Sequence, residues 1–269
     1  MNSASKKEFL DLFKKLCYTR SSWEVWADLI TAMACSLSNV TDRTEPRFES
    51  REKEYAKCIK RLGGVEKPAH LFGIIVNALE RDPDQDFLGS LYMELNLGNH
   101  WKGQFFTPYT VSRMMAETTI GSCEKEIEEK GWISVCDPCV GGGAMLIAAA
   151  NTLQRQQINY QNHVLFVGQD IDRVVGMMAY IQLSLMGCPG YIVIGNSLTN
   201  PVVGSPLMPA EQEGQEFWYT PLYNSKVWHW RRAFAVMDSM SKEKSKFKKQ
   251  VNQENKFYFF FNFDKEVEV

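Results

Sequence analysis

The stretch VCDPCVGGGAML, residues 135–146, joins an apolar run to three consecutive glycines and then to a second apolar run. This order predicts a strand that ends at Asp137, a glycine-rich loop, and a helix that begins after Gly143. Glycines let the backbone approach a ligand closely at the end of a strand, and a helix N-terminus presents unpaired N–H groups. The stretch therefore predicts a strand–loop–helix unit that binds a ligand, with a purely structural loop as the alternative.

The same stretch contains Cys136 and Cys139, which have the spacing of half a zinc site. A structural zinc ion takes four ligands. The sequence has no second cysteine pair of this spacing, and its four histidines are dispersed. We therefore expect no metal. The seven cysteines are odd in number and scattered, which favours reduced thiols over a disulfide framework.

Strand-like and helical patterns alternate after residue 131, whereas helical spacing alone is found before residue 100. Alternation of this kind is typical of an α/β fold with a parallel sheet. The strand-like runs are 132–136, 164–167 and 191–194, and the helical runs between them are 143–154 and 174–186. We expect a helical N-terminal domain at 1–100, an α/β domain at 101–240, and a lysine-rich tail with a terminal aromatic segment at 241–269.

The net charge of −2 and a pI near 6.1 give no overall attraction to nucleic acid, so any basic surface is local. No uncharged apolar run reaches the length of about 18 residues that a membrane helix needs. The first residues, MNSASKKEFLDLFKK, are charged where a signal peptide has its apolar core. The sequence therefore predicts a cytoplasmic protein without a membrane partner.

Polar side chains follow the second and third strand-like runs. Asp170 comes after the second, where a carboxylate accepts hydrogen bonds from both hydroxyls of a ribose. Asn196 comes after the third, within reach of an adenine edge. Together with the glycine loop, these positions predict a cofactor that contains adenosine.

Four motifs, GQFFTP, DPCVGGGAML, GQDID and GNSL, follow one another in this order. In order and spacing they resemble the cofactor-binding core of the N6-adenine DNA methyltransferases, in particular the modification subunit of type I restriction systems. The resemblance implies a Rossmann-like, S-adenosylmethionine-dependent methyltransferase core preceded by the helical domain. It also implies methylation of adenine N6 in DNA within a restriction-modification or mobile-element system, and a separate specificity subunit as a partner.

The resemblance also implies site residues. Asp137 is expected to attract the ammonium group of the cofactor and Asp170 to bind its ribose. Asn196 stands where the family usually has aspartate, so we expect weaker cofactor binding. The implied cofactor residues are Gln104, Phe105, Thr107, Pro108, Asp137, Pro138, Gly141, Gly143, Asp170 and Asn196.

The family's catalytic motif, N-P-P-[YF], is absent, and its nearest counterpart is NPVV at residues 200–203. One interpretation is a simple proline turn. The other is an altered catalytic loop in which Asn200 and Pro201 hold the adenine amino group. A stacking ring would then come from the aromatic residues Phe217, Trp218, Tyr219 or Tyr223. A catalytically impaired module that binds cofactor or DNA is the alternative function, as is methyl transfer to another substrate. Few stretches after residue 199 have the pattern of a strand, so we expect the sheet to be incomplete.

Overall fold

The computed structural model describes residues 3–97, 106–121, 123–238 and 240. The chain divides into two compact units, Met1–Trp228 and His229–Val269. The described residues of the second unit are helical. The expected domain boundaries at residues 100 and 240 stay predictions.

Helices occupy most of the described chain before residue 97, where the sequence shows helical spacing. Helix α2 begins with a capping box, in which the Ser21 side chain accepts a hydrogen bond from Glu24 N and the Glu24 carboxylate accepts one from Ser21 N. Phe9, Trp26 and Phe87 from three of these helices are fully buried against one another. The helices are α1 Ser3–Leu16, α2 Ser22–Thr41, α3 Arg47–Arg61, α4 Glu66–Arg81 and α5 Phe87–Glu94.

Strands and helices alternate after residue 131, as predicted. Helices α6 Tyr109–Thr119 and α7 Glu124–Lys130 precede the first strand. The alternating part is β1 Ile133–Asp137, α8 Ala144–Arg155, α9 Tyr160–His163, β2 Val164–Asp170, α10 Arg173–Leu185 and β3 Gly190–Ile194. It is followed by β4 Val203–Ser205, β5 Met208–Ala210, β6 Glu216–Tyr219 and a 3₁₀ turn at Pro221–Asn224.

The sheet has the order β1-β2-β3-β6 in the described part of the chain. The β1–β2 and β2–β3 pairs are parallel, so the predicted parallel unit is confirmed. Strand β6 pairs with β3 in the antiparallel direction, which the sequence pattern did not predict. A parallel return needs a crossover, usually a helix. The chain between β3 and β6 instead holds a short hairpin, β4–β5, so it comes back beside β3 in the opposite direction.

The N-terminal helices share one core with the sheet. Arg51 of α3 is buried, and its guanidinium donates to the Asp42 carboxylate at 3.3 Å and to the Phe217 carbonyl of β6 at 2.6 Å. The guanidinium also lies 4.0 Å from the centre of the Trp218 ring. A buried cation needs such partners, and these come from both the helices and the sheet. The helical and α/β parts are therefore packed as one body within the first unit.

No helix in the described part of the chain is both long and apolar enough to cross a membrane. The seven cysteines are free thiols, of which Cys136 and Cys139 are exposed.

A fully buried amide, that of Gln182 in α10, connects three parts of the fold. Its Nε2 donates to Asp86 Oδ1 and to the Gly142 carbonyl, both at 2.8 Å. Its Oε1 accepts from Leu88 N at 3.0 Å. Desolvation raises the pKa of Asp86, and the Gln182 hydrogen bond opposes that rise. This amide therefore joins the start of α5 to the glycine-rich loop.

We predict that Gln182→Leu lowers the free energy of unfolding by about 2–4 kcal/mol, because it leaves buried polar groups without partners. The measurement is urea denaturation followed by circular dichroism. Gln154→Leu, the same change at an exposed position of α8, is the control, and we expect it to alter stability by less than about 0.5 kcal/mol. Equal losses in the two variants would contradict the prediction.

Candidate functional site

The carboxyl ends of the three parallel strands lie at one edge of the sheet. The register pairs Asp137 with Gly168 and Asp170 with Ile194. The residues that follow β3, beginning with Gly195, therefore lie at the same edge, and Gly195 N donates to the Asp170 carbonyl at 2.8 Å. The loops after β1, β2 and β3 form one site at this edge, which is where open α/β sheets bind ligands.

The glycine-rich loop needs glycine for its backbone. Gly141 and Gly143 have φ of +54° and +97°, in the left-handed region. A Cβ atom on Gly143 would lie 3.2 Å from Cα and Cβ of Ala179 in α10, so the loop passes directly against that helix. Helix α8 begins at Ala144, as the sequence predicted. Pro138 is exposed in the turn that leads from β1 into this loop.

The Asp170 carboxylate holds the glycine-rich loop. Its Oδ2 accepts from Gly141 N at 2.8 Å and its Oδ1 from Asp172 N at 2.9 Å. Burial raises the pKa of Asp170 and these two N–H groups oppose the rise. Each carboxylate oxygen has a second lone pair, so the group also has the capacity to accept from hydroxyls. Asp172 caps α10 by accepting from Val174 N and Val175 N.

Asp137 is half-buried at the end of β1, and its Oδ1 accepts from Cys139 N at 3.0 Å. Burial raises the pKa of Asp137 and of Asp170, and the charges of Asp172 and Asp137 add to the rise at Asp170. Desolvated carboxylates that repel each other are stabilised by a cation between them. The site therefore favours a ligand that carries both positive charge and hydroxyl groups.

An aromatic pair covers the glycine-rich loop. The Phe106 ring lies 3.6 Å from where a Cβ of Gly141 would be, and it stacks on Tyr92 at 5.0 Å between ring centres. Sequence reasoning missed both residues, although Phe106 lies within GQFFTP. Thr107 and Pro108 are exposed and lead into α6. Gln104 and Phe105, two of the expected cofactor residues, lie outside the described residues.

Asn196 follows β3 and folds back onto its own loop. Its Oδ1 accepts from Leu198 N at 2.9 Å and from Thr199 N at 3.2 Å. This side chain is the one that the sequence places within reach of an adenine edge. In the structure it stabilises the turn that leads to Asn200, whose N–H donates to the Asn196 carbonyl.

Asn200 is held by hydrogen bonds through both its backbone and its side chain. Its Nδ2 donates to the Glu213 carbonyl at 3.0 Å. Its carbonyl oxygen accepts from Gln169 Nε2 at 2.8 Å and from Gln215 Nε2 at 2.9 Å. Pro201 is exposed beside it. The loop therefore has a defined conformation next to the end of β2.

Three of the four rings expected to stack on a base are in the core. Phe217, Trp218 and Tyr223 are 3%, 0% and 7% exposed, which leaves Tyr219 as the one of the four that is not buried. Strand β6 places Phe217 against Tyr191 of β3 and Trp218 against Tyr180 of α10. Tyr223 lies in the 3₁₀ turn and also packs against Tyr191. Tyr219 is half-buried, and its hydroxyl donates to Glu211.

The family model for N-6 DNA methylase matches residues 84–263. Since the match covers more than half of the chain and includes the whole site, the chain belongs to the N-6 DNA methylase family. Among solved structures it is similar to the methyltransferase subunit of a type I restriction-modification system from Streptococcus thermophilus. The identity is 12% and the TM-score is 0.34, over 73% of this chain and 59% of that one. The chain thus spans less than two thirds of that subunit. No curated protein matches.

We predict that Gly143→Ala lowers the free energy of unfolding by about 1–3 kcal/mol, because alanine is strained at a positive φ and its Cβ would press on Ala179. Gly121→Ala is the matched control, since nothing lies within 4 Å of its Cβ position. Chemical denaturation of both variants measures the difference. A Gly143 variant as stable as the Gly121 variant would be evidence against a left-handed residue at 143.

Proposed function

We propose that this domain binds S-adenosylmethionine at the ends of β1, β2 and β3 and transfers its methyl group to N6 of adenine in DNA. The observation that carries the proposal is the carboxylate of Asp170. It lies at the tip of β2, bonds the glycine-rich loop through Gly141 N, and keeps lone pairs for two ribose hydroxyls.

The residues present fit this cofactor. S-adenosylmethionine carries an ammonium and a sulfonium charge as well as a ribose diol. Asp137 and Asp170 bear carboxylates whose pKa is raised by burial, which favours a cation at the site. Glycines at 141 and 143 bring the backbone close, and Phe106 covers the loop. When bound, the cofactor supplies an electrophilic methyl group. Thr107, Pro108, Pro138 and Asn196 are proposed to complete its surroundings.

In this proposal the protein catalyses methyl transfer by orienting the adenine amino group. An adenine flipped out of the duplex would place its amino group beside the NPVV loop. The Asn200 side-chain oxygen and the Pro201 carbonyl would accept its two hydrogens, which favours attack by the nitrogen lone pair. Both oxygens are 3.4 Å from Gln215 Nε2, a long contact that leaves them acceptor capacity. The methylated nitrogen would carry a positive charge that makes its hydrogen acidic, so it would release a proton to water without a strong base. Orientation would supply the rate enhancement.

The assembly around this activity is also a proposal. DNA is the proposed substrate, and a separate specificity subunit the proposed source of target recognition. Family membership supports a place in a restriction-modification or mobile-element system in the cytoplasm.

A second candidate is a methyltransferase-like module that binds cofactor or DNA without catalysis. It is favoured by the hydrogen bond from Asn200 Nδ2 to the Glu213 carbonyl, since this side chain stabilises its own loop. The burial of Phe217, Trp218 and Tyr223 favours it too, because only Tyr219 of the four candidate rings is left partly exposed. The two candidates share the cofactor site and differ at Asn200.

We predict that Asp170→Ala weakens binding of S-adenosylmethionine by about 100-fold, since two charge-assisted hydrogen bonds to the ribose are lost. Calorimetric titration measures this. Asp11→Ala, which removes the same charge from an exposed position of α1, should bind like wild type. Asp170→Asn keeps the shape of the side chain and separates lost binding from lost folding. Equal affinity of wild type and both Asp170 variants would refute the pocket.

We predict that Asn200→Ala lowers kcat for tritiated methyl transfer to unmethylated DNA by at least about 100-fold, as loss of a transition-state hydrogen bond does. Its affinity for S-adenosylmethionine should stay within about threefold of wild type. Asn77→Ala, on the exposed face of α4, is the control and should retain full activity. Transfer that survives the Asn200 change excludes its catalytic role. Cofactor binding by a wild type that transfers nothing would support the second candidate.

A further inference from the structure

The side chain of Gln169 binds the NPVV loop at two points. Its Nε2 donates to the Asn200 carbonyl at 2.8 Å, and its Oε1 accepts from Val202 N at 3.1 Å. The amide thus pairs with the backbone on either side of Pro201, as a neighbouring strand would. Gln169 is 4% exposed, and its loop partners Asn200 and Val202 are partly buried. Hydrogen bonds that are partly removed from water fix the loop more firmly than fully exposed ones do.

The same residue holds the cofactor loop through its backbone. The Gln169 carbonyl accepts from Val140 N at 3.0 Å, and the adjacent Asp170 carboxylate accepts from Gly141 N at 2.8 Å. One residue at the end of β2 therefore contacts both the loop proposed to bind the cofactor and the loop proposed to bind the adenine. A shift of either loop changes a hydrogen bond at Gln169.

Val202 makes the second of these bonds possible. It stands where the family motif has its second proline, and proline has no N–H to donate. The Val202 N–H is the donor that Gln169 Oε1 accepts. The loop thus has a hydrogen bond to β2 at the position where the family motif has a rigid ring.

We propose that Gln169 is a positioning residue that couples the cofactor site to the Asn200–Val202 segment. It sets the distance between the methyl donor and the groups that hold the adenine, and it transmits occupancy of the first loop to the second. This rests on the proposed function for the identity of the two loops. Gln169 itself touches neither the cofactor nor the base in this proposal.

Gln215 provides the comparison. Its Nε2 also donates to the Asn200 carbonyl, at 2.9 Å, but it lies just before β6 and is partly exposed. Gln215→Leu therefore removes this bond, the two 3.4 Å contacts of Nε2 with Asn200 Oδ1 and the Pro201 carbonyl, and the bond that Gln215 Oε1 accepts from Gln212 N. It leaves the two bonds from the Gln169 side chain in place. Gln169→Leu removes both of those bonds and keeps the backbone contact with Val140.

The first test is hydrogen exchange of the 199–203 backbone amides, with and without saturating S-adenosylmethionine, in the full chain. In wild type we expect the cofactor to slow exchange at Val202 by about tenfold or more. Gln169→Leu should bind the cofactor within about threefold of wild type and lose this slowing, whereas Gln215→Leu should keep it. Slowing that persists in Gln169→Leu, or is lost equally in both variants, overturns the coupling.

The second test is kinetic. Gln169→Leu should lower kcat by about 100-fold while KM for the cofactor changes less than about threefold. Gln169→Glu keeps the acceptor for Val202 N but, when ionised, loses the donor to the Asn200 carbonyl. Because a buried carboxyl group has a raised pKa, we expect its kcat relative to wild type to recover as pH falls from about 8 to about 6. A relative kcat that does not depend on pH overturns the positioning role.

Different results would overturn the proposed function and the proposed role of Gln169. A wild type that does not bind S-adenosylmethionine overturns the proposed function. A wild type that binds it, with exchange at Val202 indifferent to the cofactor, overturns the role of Gln169 alone. The exchange test also applies to a chain without catalysis, since it requires only binding.

Discussion

The end of strand β2 is the constraint on which the site depends. Within two residues, Gln169 and Asp170, it binds the loops after β1 and β3. The Gln169 carbonyl accepts a hydrogen bond from Val140 N, and the Asp170 carboxylate accepts one from Gly141 N. The Asp170 carbonyl accepts one from Gly195 N. The Gln169 side-chain amide makes hydrogen bonds to the backbone of Asn200 and Val202. Because β2 is buried between β1 and β3, the sheet fixes the positions of these acceptors. The acceptors in turn fix the positions of the loops that bind to them.

The N-terminal helices support this site from the other side. The Gln182 amide links the Gly142 carbonyl to the start of α5, and the Phe106–Tyr92 pair covers Gly141. The Arg51 guanidinium ties α3 to β6 through the Phe217 carbonyl. Removing the helices would expose these partners and leave buried polar groups unsatisfied. The glycine-rich loop is therefore shaped by the helical part as much as by the strand that precedes it.

The sequence predicted the parallel unit because each strand and helix has its own hydrophobic period and a glycine or aspartate at its boundary. Gly143 and Asp172 mark the starts of α8 and α10 for local reasons, namely a positive φ and a side-chain cap. Strand β6 was missed because its pairing with β3 depends on a distant partner. The burial of Trp218 follows from that pairing and from Arg51, contacts that no local pattern records. The role of Gln169 was hidden for the same reason, since its partners lie 31 and 33 residues further along.

The hydrogen bond from Val202 N to Gln169 Oε1 shows that the NPVV loop has a defined conformation held by β2. A motif with two prolines is stiff because each ring fixes φ, and it needs few external bonds. With valine at the second position only the ring of Pro201 fixes φ, and the N–H of Val202 requires an acceptor. Gln169 provides the acceptor, and its Nε2, with that of Gln215, satisfies the Asn200 carbonyl. Hydrogen bonds to β2 therefore replace the constraint that a second proline ring would supply, and they tie the loop directly to the end of β2.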